Sequence, residues 1–421
     1  MNLDTGHTAW MLVASALVLF MTPGLAFFYG GLVRAKNVVS TMMYSFMSMA
    51  VVSIVWILWG YSLAFGDSLI GIGGSSLLGN FKFFALGNIG VGGDGIPDLL
   101  FVVFQMMFAI ITPALITGAF AERFKFSTYL IFLVLWVTLV YAPICHWVWQ
   151  SDGWLFQRGA LDFAGGTVVH LNAGMAAVAA AWLVGKRRGE TEGLSAHNVP
   201  FVVLGAAILW FGWFGFNAGS GLNANFQAVN AFLVTNTAAA AAMLTWTVIW
   251  YIQTKKFSAV GAATGAVAGL VAITPASGFV NASGALAIGF SVAVVCYFSA
   301  QFMEKSRLDD ALVVFGVHGV GGLWGAIMTG VFALEAIGGT KGLIEGNGAI
   351  MIEQILAVIA TGVYSLVATL IILKILDVMP GLGLQVAERT ESAGLDVSEH
   401  GERGYVQDGS NKLLILMKIS G

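Results

Sequence analysis

Charge is scarce in this chain: only 10% of its 421 residues are Asp, Glu, Lys or Arg, against about 25% in an ordinary soluble domain. So little charge cannot clothe a large water-soluble surface. Cysteine is rarer still, and Cys145 and Cys296 both fall inside apolar runs, where they are small core side chains rather than a disulfide framework. The balance of 19 basic and 22 acidic residues forms no basic stripe, so nothing points to nucleic acid. A Walker loop, a hydride-cofactor glycine fingerprint and a helical His-Glu-x-x-His are all missing. ATP-driven pumping and zinc hydrolysis therefore have no support, no cofactor is expected, and the chain is not expected to be an enzyme.

What is abundant is apolar length. Hydrophobic residues make up 58% of the chain, and the mean hydropathy is +0.86. A membrane-crossing helix needs about 20 apolar residues, and eleven candidate spans fit between charges: 9–33, 38–65, 99–121, 126–147, 165–185, 199–217, 227–252, 258–274, 284–303, 311–332 and 350–373. The uncharged stretches 199–254 and 257–303 are too long for one span each. They divide at the turn-forming strings Asn217–Gly221 and Thr274–Gly278; 258–274 is the shortest candidate. No basic residue precedes the first run at Ala9, so a secretory signal is not expected and a short exported N-terminus is. The expected fold is an all-α multispanning membrane protein.

The basic residues orient it. With the N-terminus outside, the inside loops hold Arg34, Lys36, Arg123, Lys125, Lys186, Arg187, Arg188, Lys255, Lys256, Lys305 and Arg307, and the outside loops only Lys82, Arg158 and Lys341. Positive residues favour cytoplasmic loops, and miscounting one span would scramble this division. An odd number of spans places the C-terminal tail in the cytoplasm. The longest outside loop is the glycine-rich 66–98. Many of the 54 glycines fall within spans, where small residues let helices approach closely.

Two histidines interrupt the apolar spans in matching contexts. His170 follows Gly-Gly-Thr-Val-Val and His318 follows Phe-Gly-Val, and each has a glycine four residues later, Gly174 and Gly322. The plain reading is a neutral imidazole bonded to a neighbouring helix. An ionisable group at membrane depth is by default a functional candidate, and two in repeated contexts suggest duplicated halves sharing one site. A metal lacks a third ligand nearby. A neutral pair offers donor and acceptor to a small polar solute or a proton.

Other candidates cluster towards the outside. Asp162, just before Gly165, reads as a helix cap and as a source of field at a cation entrance. Trp149, Phe104, Phe108 and Phe216 lie near outside ends of spans, with Ser220 one turn beyond Phe216. Phe104 and Phe108 share a helix face. Phenyl rings closing a passage exclude hydrated ions, whereas Trp149 with a hydroxyl can hold a bare cation by cation–π attraction. Trp147, Trp154, Trp210 and Trp213 are read as interface-belt or packing residues. The tail, rich in Glu, Asp, Gly and Ser, reads as a solvated segment, and its apolar end Lys412–Met417 is far too short to span.

Four strings in order, 159–170, 212–220, 314–320 and 394–402, give the chain its resemblance. From about residue 5 to 405 it resembles the ammonium transporters of the Amt/Mep/Rh group, the bacterial Amt branch in particular. The resemblance implies two inverted five-helix repeats plus a long last helix, with a membrane domain over 1–376 and a cytoplasmic tail over 377–421. Repeat one would cover about 9–185, repeat two about 199–332 and the last helix about 350–376. It also implies a homotrimer in the cell membrane, each chain with its own pore, and a PII-type regulatory protein at the cytoplasmic side.

The resemblance assigns roles as well. Trp149, Ser220 and Phe108, with Phe104 beside them, would recruit ammonium; Phe108 and Phe216 would form a hydrophobic gate. Asp162 would support the site and cation entry. His170 and His318 would bond to each other along a dry pore that passes ammonia, the proton travelling separately. Two other functions compete: a neutral ammonia or carbon dioxide channel of the Rh type, and an ammonium sensor that signals through its tail. A cation trap at Trp149 and Ser220 favours the transporter over the gas channel, and a tail of about fifty residues is too short for a typical signalling domain.

Overall fold

Four successive spans begin at residues that satisfy the first free amides of a helix. Asn198, Asn225, Ser258 and Asn281 each accept from a backbone N–H three residues on, those of Phe201, Ala228, Gly261 and Gly284. Such side-chain oxygens replace the backbone partner that a helix start lacks. The computed structural model describes residues 2–90, 92–188 and 195–405. The apolar end Lys412–Gly421 lies outside the described residues.

Among the described residues, ten helices are long and apolar enough to cross a membrane, and an eleventh apolar helix is shorter. We number them α1 Thr5–Leu32, α2 Ala35–Phe65, α3 Asp98–Phe120, α4 Phe126–Trp149, α5 Gly166–Val184, α6 Val199–Gly219, α7 Phe226–Thr254, α8 Ala259–Ile273, α9 Ala282–Lys305, α10 Phe315–Phe332 and α11 Ile350–Val378. The expected spans match these in number and, within a few residues, in position. The shortest candidate is real: α8 has 15 residues, about 22 Å of helix, and a run of turns follows it.

The packing joins the first five helices to the second five. α1 lies along α6, α5 crosses α10, and α11 runs against α4, α5 and α10. Thus the first and last helices of one half meet the first and last of the other.

Loops extend the two ends. The glycine-rich segment after α2 is not structureless: β1 Ser68–Ile72 and β2 Ser75–Gly79 form an antiparallel hairpin. Its turn residues Gly73 and Gly74 have φ of 62° and 91°, the backbone a tight hairpin turn demands and side-chain-bearing residues avoid. Buried His146 pins this hairpin, with Nδ1 2.8 Å from the Ala64 carbonyl and Nε2 2.6 Å from the Ser76 hydroxyl.

At the other end, Arg34, Glu122, Arg123, Arg187 and Asp309 interlock. Glu122 accepts from the Arg34 backbone and guanidinium and from Asn37, and Arg187 bridges Glu122 and Asp309. Burial opposes ionisation of Glu122, yet Arg34 and Asn37 outweigh it and hold the carboxyl below its usual range. Arg123 is wholly buried and donates to four carbonyls, those of Ala119, Ala121, Gly185 and Asp309. Burial pushes it down to about 10.

The segment after α11 docks on this basic face through two short helices, α12 Glu388–Ala393 and α13 Leu395–His400. The Ser40 N–H donates to Asp396, the Leu395 N–H to Asn37, and the Arg188 N–H to Glu391. The tail up to Tyr405 is therefore folded onto its own chain rather than simply solvated.

Candidate functional site

The two histidines sit in the same unusual local structure. His170 lies in a π-helical turn, Gly166–Leu171, and His318 in another, Phe315–Gly319. Such widened turns are rare and concentrate at functional sites. Each turn follows a carboxylate eight residues before the histidine, Asp162 and Asp310. Asp162, 8% exposed, accepts from the backbone N–H groups of Gly165, Gly166, Thr167 and Val168 and from the Thr167 hydroxyl. Asp310 accepts from the N–H groups of Val314 and Phe315. Both are caps first, as expected of Asp162: their oxygens are committed to backbone donors.

Close crossing of α5 and α10 brings the rings together. A Cβ on Gly174 would fall 2.2 Å from the Gly319 Cα, and one on Gly322 would fall 2.6 Å from the Gly166 carbonyl oxygen. Only glycine permits that approach. As a result His170 Nδ1 lies 3.3 Å from His318 Nδ1. When both imidazoles are neutral, one Nδ1 must donate and the other accept, so the two rings hold opposite tautomers. His170 Nε2 is buried without a partner.

Aromatic rings continue the column. His170 stacks on Phe216 at 5.9 Å and on Trp213 at 5.3 Å. Phe216 lies 4.4 Å from Phe108, which meets Phe104 at 4.9 Å and Trp149 edge-on at 5.6 Å. Phe104, Phe108 and Phe216 are fully buried. Trp149 donates its indole N–H to the Asp162 carbonyl, which ties the end of α4 to the capped start of α5.

Two cavities flank the Phe108–Phe216 pair. One, of about 630 Å³, opens on the face opposite the basic loops, and Phe108, Trp149, Ser220, Asp162 and Gln105 are among its walls. The other, of about 10 Å³, is bounded by His170, His318, Phe216, Trp213 and aliphatic side chains. Its size suits one water-sized molecule, and the imidazoles are its only titratable groups. Ser220 donates its hydroxyl proton to the Phe216 carbonyl at 2.8 Å, leaving its lone pairs for a donor in the larger cavity. An Arg158–Glu353 pair at 2.7 Å stands on that cavity's rim.

All eight residues singled out from sequence fall on this one axis. Of the two roles expected for Trp213, belt or packing, the structure gives the second: it is a buried wall of the small cavity, its indole bonded to Thr274. Its position three residues before Phe216 is the signal for a shared face. Gln354 also escaped notice. Its amide bonds both backbone groups of Leu161 and the Ala326 carbonyl, so α11 clamps the segment that carries Asp162. A polar residue inside an apolar span was the clue.

Residues 9–405 match the family described as Ammonium Transporter Family. The chain is 45% identical to the ammonium transporter Amt1 of Archaeoglobus fulgidus over 404 residues, 96% of this chain and 100% of that one. It is 47% identical to an ammonium transporter of Bacillus subtilis, across 96% and 99% of the two chains. The crystal structure of Saccharomyces cerevisiae Mep2 superposes with a TM-score of 0.86 at 37% identity, covering 92% of this chain and 90% of that one.

Proposed function

The chain belongs to the ammonium transporter family and is a multi-pass protein of the cell membrane; from that premise we propose how it moves its substrate. Ammonium is recruited in the large cavity at Trp149, Phe108 and Ser220, with Phe104 behind them. It loses its proton at the Phe108–Phe216 gate. Ammonia passes the small cavity, and the proton follows along His170 and His318. The face bearing the large cavity is outside, and the basic face is cytoplasmic, in keeping with the charge rule. The repeats about 9–185 and 199–332, the last helix and the tail are the units of this arrangement.

The observation that carries the proposal is the order of groups: aromatic walls with a hydroxyl, two phenyl rings tilted at 44° to each other, then a small cavity in which the two imidazoles are the only titratable groups. A bare ion there has no solvation, a cost of several kcal/mol or more. Potassium matches ammonium in size, but only ammonium can donate hydrogen bonds to Ser220 and then give up a proton. An indole face and a waiting hydroxyl favour this over a neutral gas channel, which needs no cation trap. Asp162 acts on entry through its field, since its oxygens are occupied.

The proposal includes the partners expected of the family resemblance, two further copies in a homotrimer and a PII-type regulator. The tail docked against the loops of the basic face supports regulation from that side. Purified protein in liposomes on solid-supported membranes tests the mechanism. Ammonium pulses should evoke a current and potassium pulses none, and His170→Ala with His318→Ala should abolish proton-coupled current or admit potassium. A double variant that transports ammonium and rejects potassium like the parent makes the pair structural and defeats the relay.

A further inference from the structure

Between Phe104 and Phe108 on α3 lies a side chain that neither the gate nor the relay uses. Gln105 is 8% exposed, lines the large cavity with Phe108, Trp149 and Ser220, and its carbonyl oxygen Oε1 is buried with no hydrogen-bond partner. Nearly all buried polar atoms are paired, and a buried acceptor left alone is costly unless something outside the protein completes it. The missing partner must be a donor, and it must fit beside two aromatic faces.

Ammonium has four N–H donors and no acceptor. In this cavity the Asp162 oxygens are taken by backbone amides, and Ser220 retains lone pairs after donating to Phe216. We infer that Gln105 is a further ammonium-binding residue of the outer site, its side-chain amide turning so that Oε1, screened from the cavity in this structure, accepts a second N–H of the cation held at Ser220 and Trp149. This rests on the recruitment site proposed above and adds an amide acceptor to it. A neutral carbonyl there strengthens binding without trapping the ion, because a neutral acceptor gives up its cation more readily than a carboxylate does.

The test is the concentration dependence of ammonium current in liposomes for Gln105→Leu, Gln105→Glu and, in parallel, Ser220→Ala. Gln105→Leu keeps the volume and removes the acceptor. Its KM should rise about tenfold, the equivalent of about 1.4 kcal/mol of binding, with maximal current within about twofold of the parent and unchanged thermal unfolding in detergent. Gln105→Glu restores an acceptor and should bring KM to the parental value or below.

A parental KM in Gln105→Leu, with KM raised in Ser220→Ala, overturns the assignment of Gln105 and leaves the recruitment site standing. A parental KM in both overturns the recruitment site and the inference with it. A fall in maximal current and thermal stability at unchanged KM makes Gln105 a packing residue.

Discussion

Adding one methyl group at Gly322 should separate the two histidines. The new Cβ would lie 2.6 Å from the Gly166 carbonyl oxygen, 2.8 Å from the Leu171 nitrogen and 3.0 Å from the His170 Cβ. Carbon atoms settle at about 3.5–4.0 Å from their neighbours, and two of these three are backbone atoms that cannot rotate away. α10 must therefore retreat from α5 by roughly 1 Å. The Nδ1–Nδ1 distance of 3.3 Å is already near the upper end for a hydrogen bond, so the same retreat breaks it. Overpacking of this kind costs about 1–3 kcal/mol.

Gly322→Ala should unfold a few degrees earlier in detergent and lose at least about tenfold in ammonium current, the equivalent of 1.4 kcal/mol. Gly174→Ala should be worse, since its Cβ would meet the Gly319 Cα at 2.2 Å and nitrogen at 2.4 Å. Gly362→Ala on α11 is the control: the nearest atom, Met175 Cγ, is at an ordinary 3.6 Å, and such a change should stay within about 0.5 kcal/mol. If Gly322→Ala and Gly174→Ala behave like Gly362→Ala in both assays, the close crossing does not set the histidine geometry.

The gate, the ion network and a buried acid offer further tests. Phe216→Leu removes one ring of the 4.4 Å pair and should let potassium pulses evoke current; continued rejection of potassium speaks against a phenyl gate. Glu122→Ala leaves Arg187 paired with Asp309 but removes the acceptor of the Arg34 and Asn37 donors and should cost about 1–3 kcal/mol, visible as a lower unfolding temperature; an unchanged one means the network adds little. Burial raises the Asp310 carboxyl to about 6 despite the N–H bonds of Phe315 and Val314. Its folded form holds the proton more tightly than the unfolded chain does. The stabilisation is full below about 3.8 and is lost as pH rises through about 6, roughly 3 kcal/mol in all. Asp310→Asn should flatten that decline in detergent unfolding between pH 4.5 and 7; parallel curves refute it.

Much of this molecule was legible because a membrane simplifies the code. Charge marks loops, apolar length marks spans, and an ionisable group inside a span stands out. That is why eleven helices, the two histidines and the capping Asp162 could be placed. What sequence periodicity cannot carry is depth and direction. Trp213 looked like Trp147 and Trp210, yet it alone stacks on His170, because burial depends on which neighbour a helix face meets. The π turns around His170 and His318 have no composition signature. The loop 66–98 concealed a hairpin because its pinning residue, His146, lies in α4, far along the chain.

The duplicated halves share a device and differ in what surrounds it. In each, a carboxylate caps a π turn and a histidine follows eight residues later. Symmetry of this kind makes a pore but gives it no preferred entrance. Direction comes from what the asymmetric parts add. Before Asp162 stand Trp149, Phe108 and Ser220, a wide cavity whose walls suit a cation. Near Asp310 stand Arg123, Arg187 and Asp309, joined to the loops and to the docked tail. The guanidinium groups on that side are paired with Asp309 and Glu122, so that face carries a closed, balanced ion network instead of an open aromatic-walled cavity. The same backbone motif, used twice, therefore opens on a wide cavity at one face and abuts a closed ion network at the other.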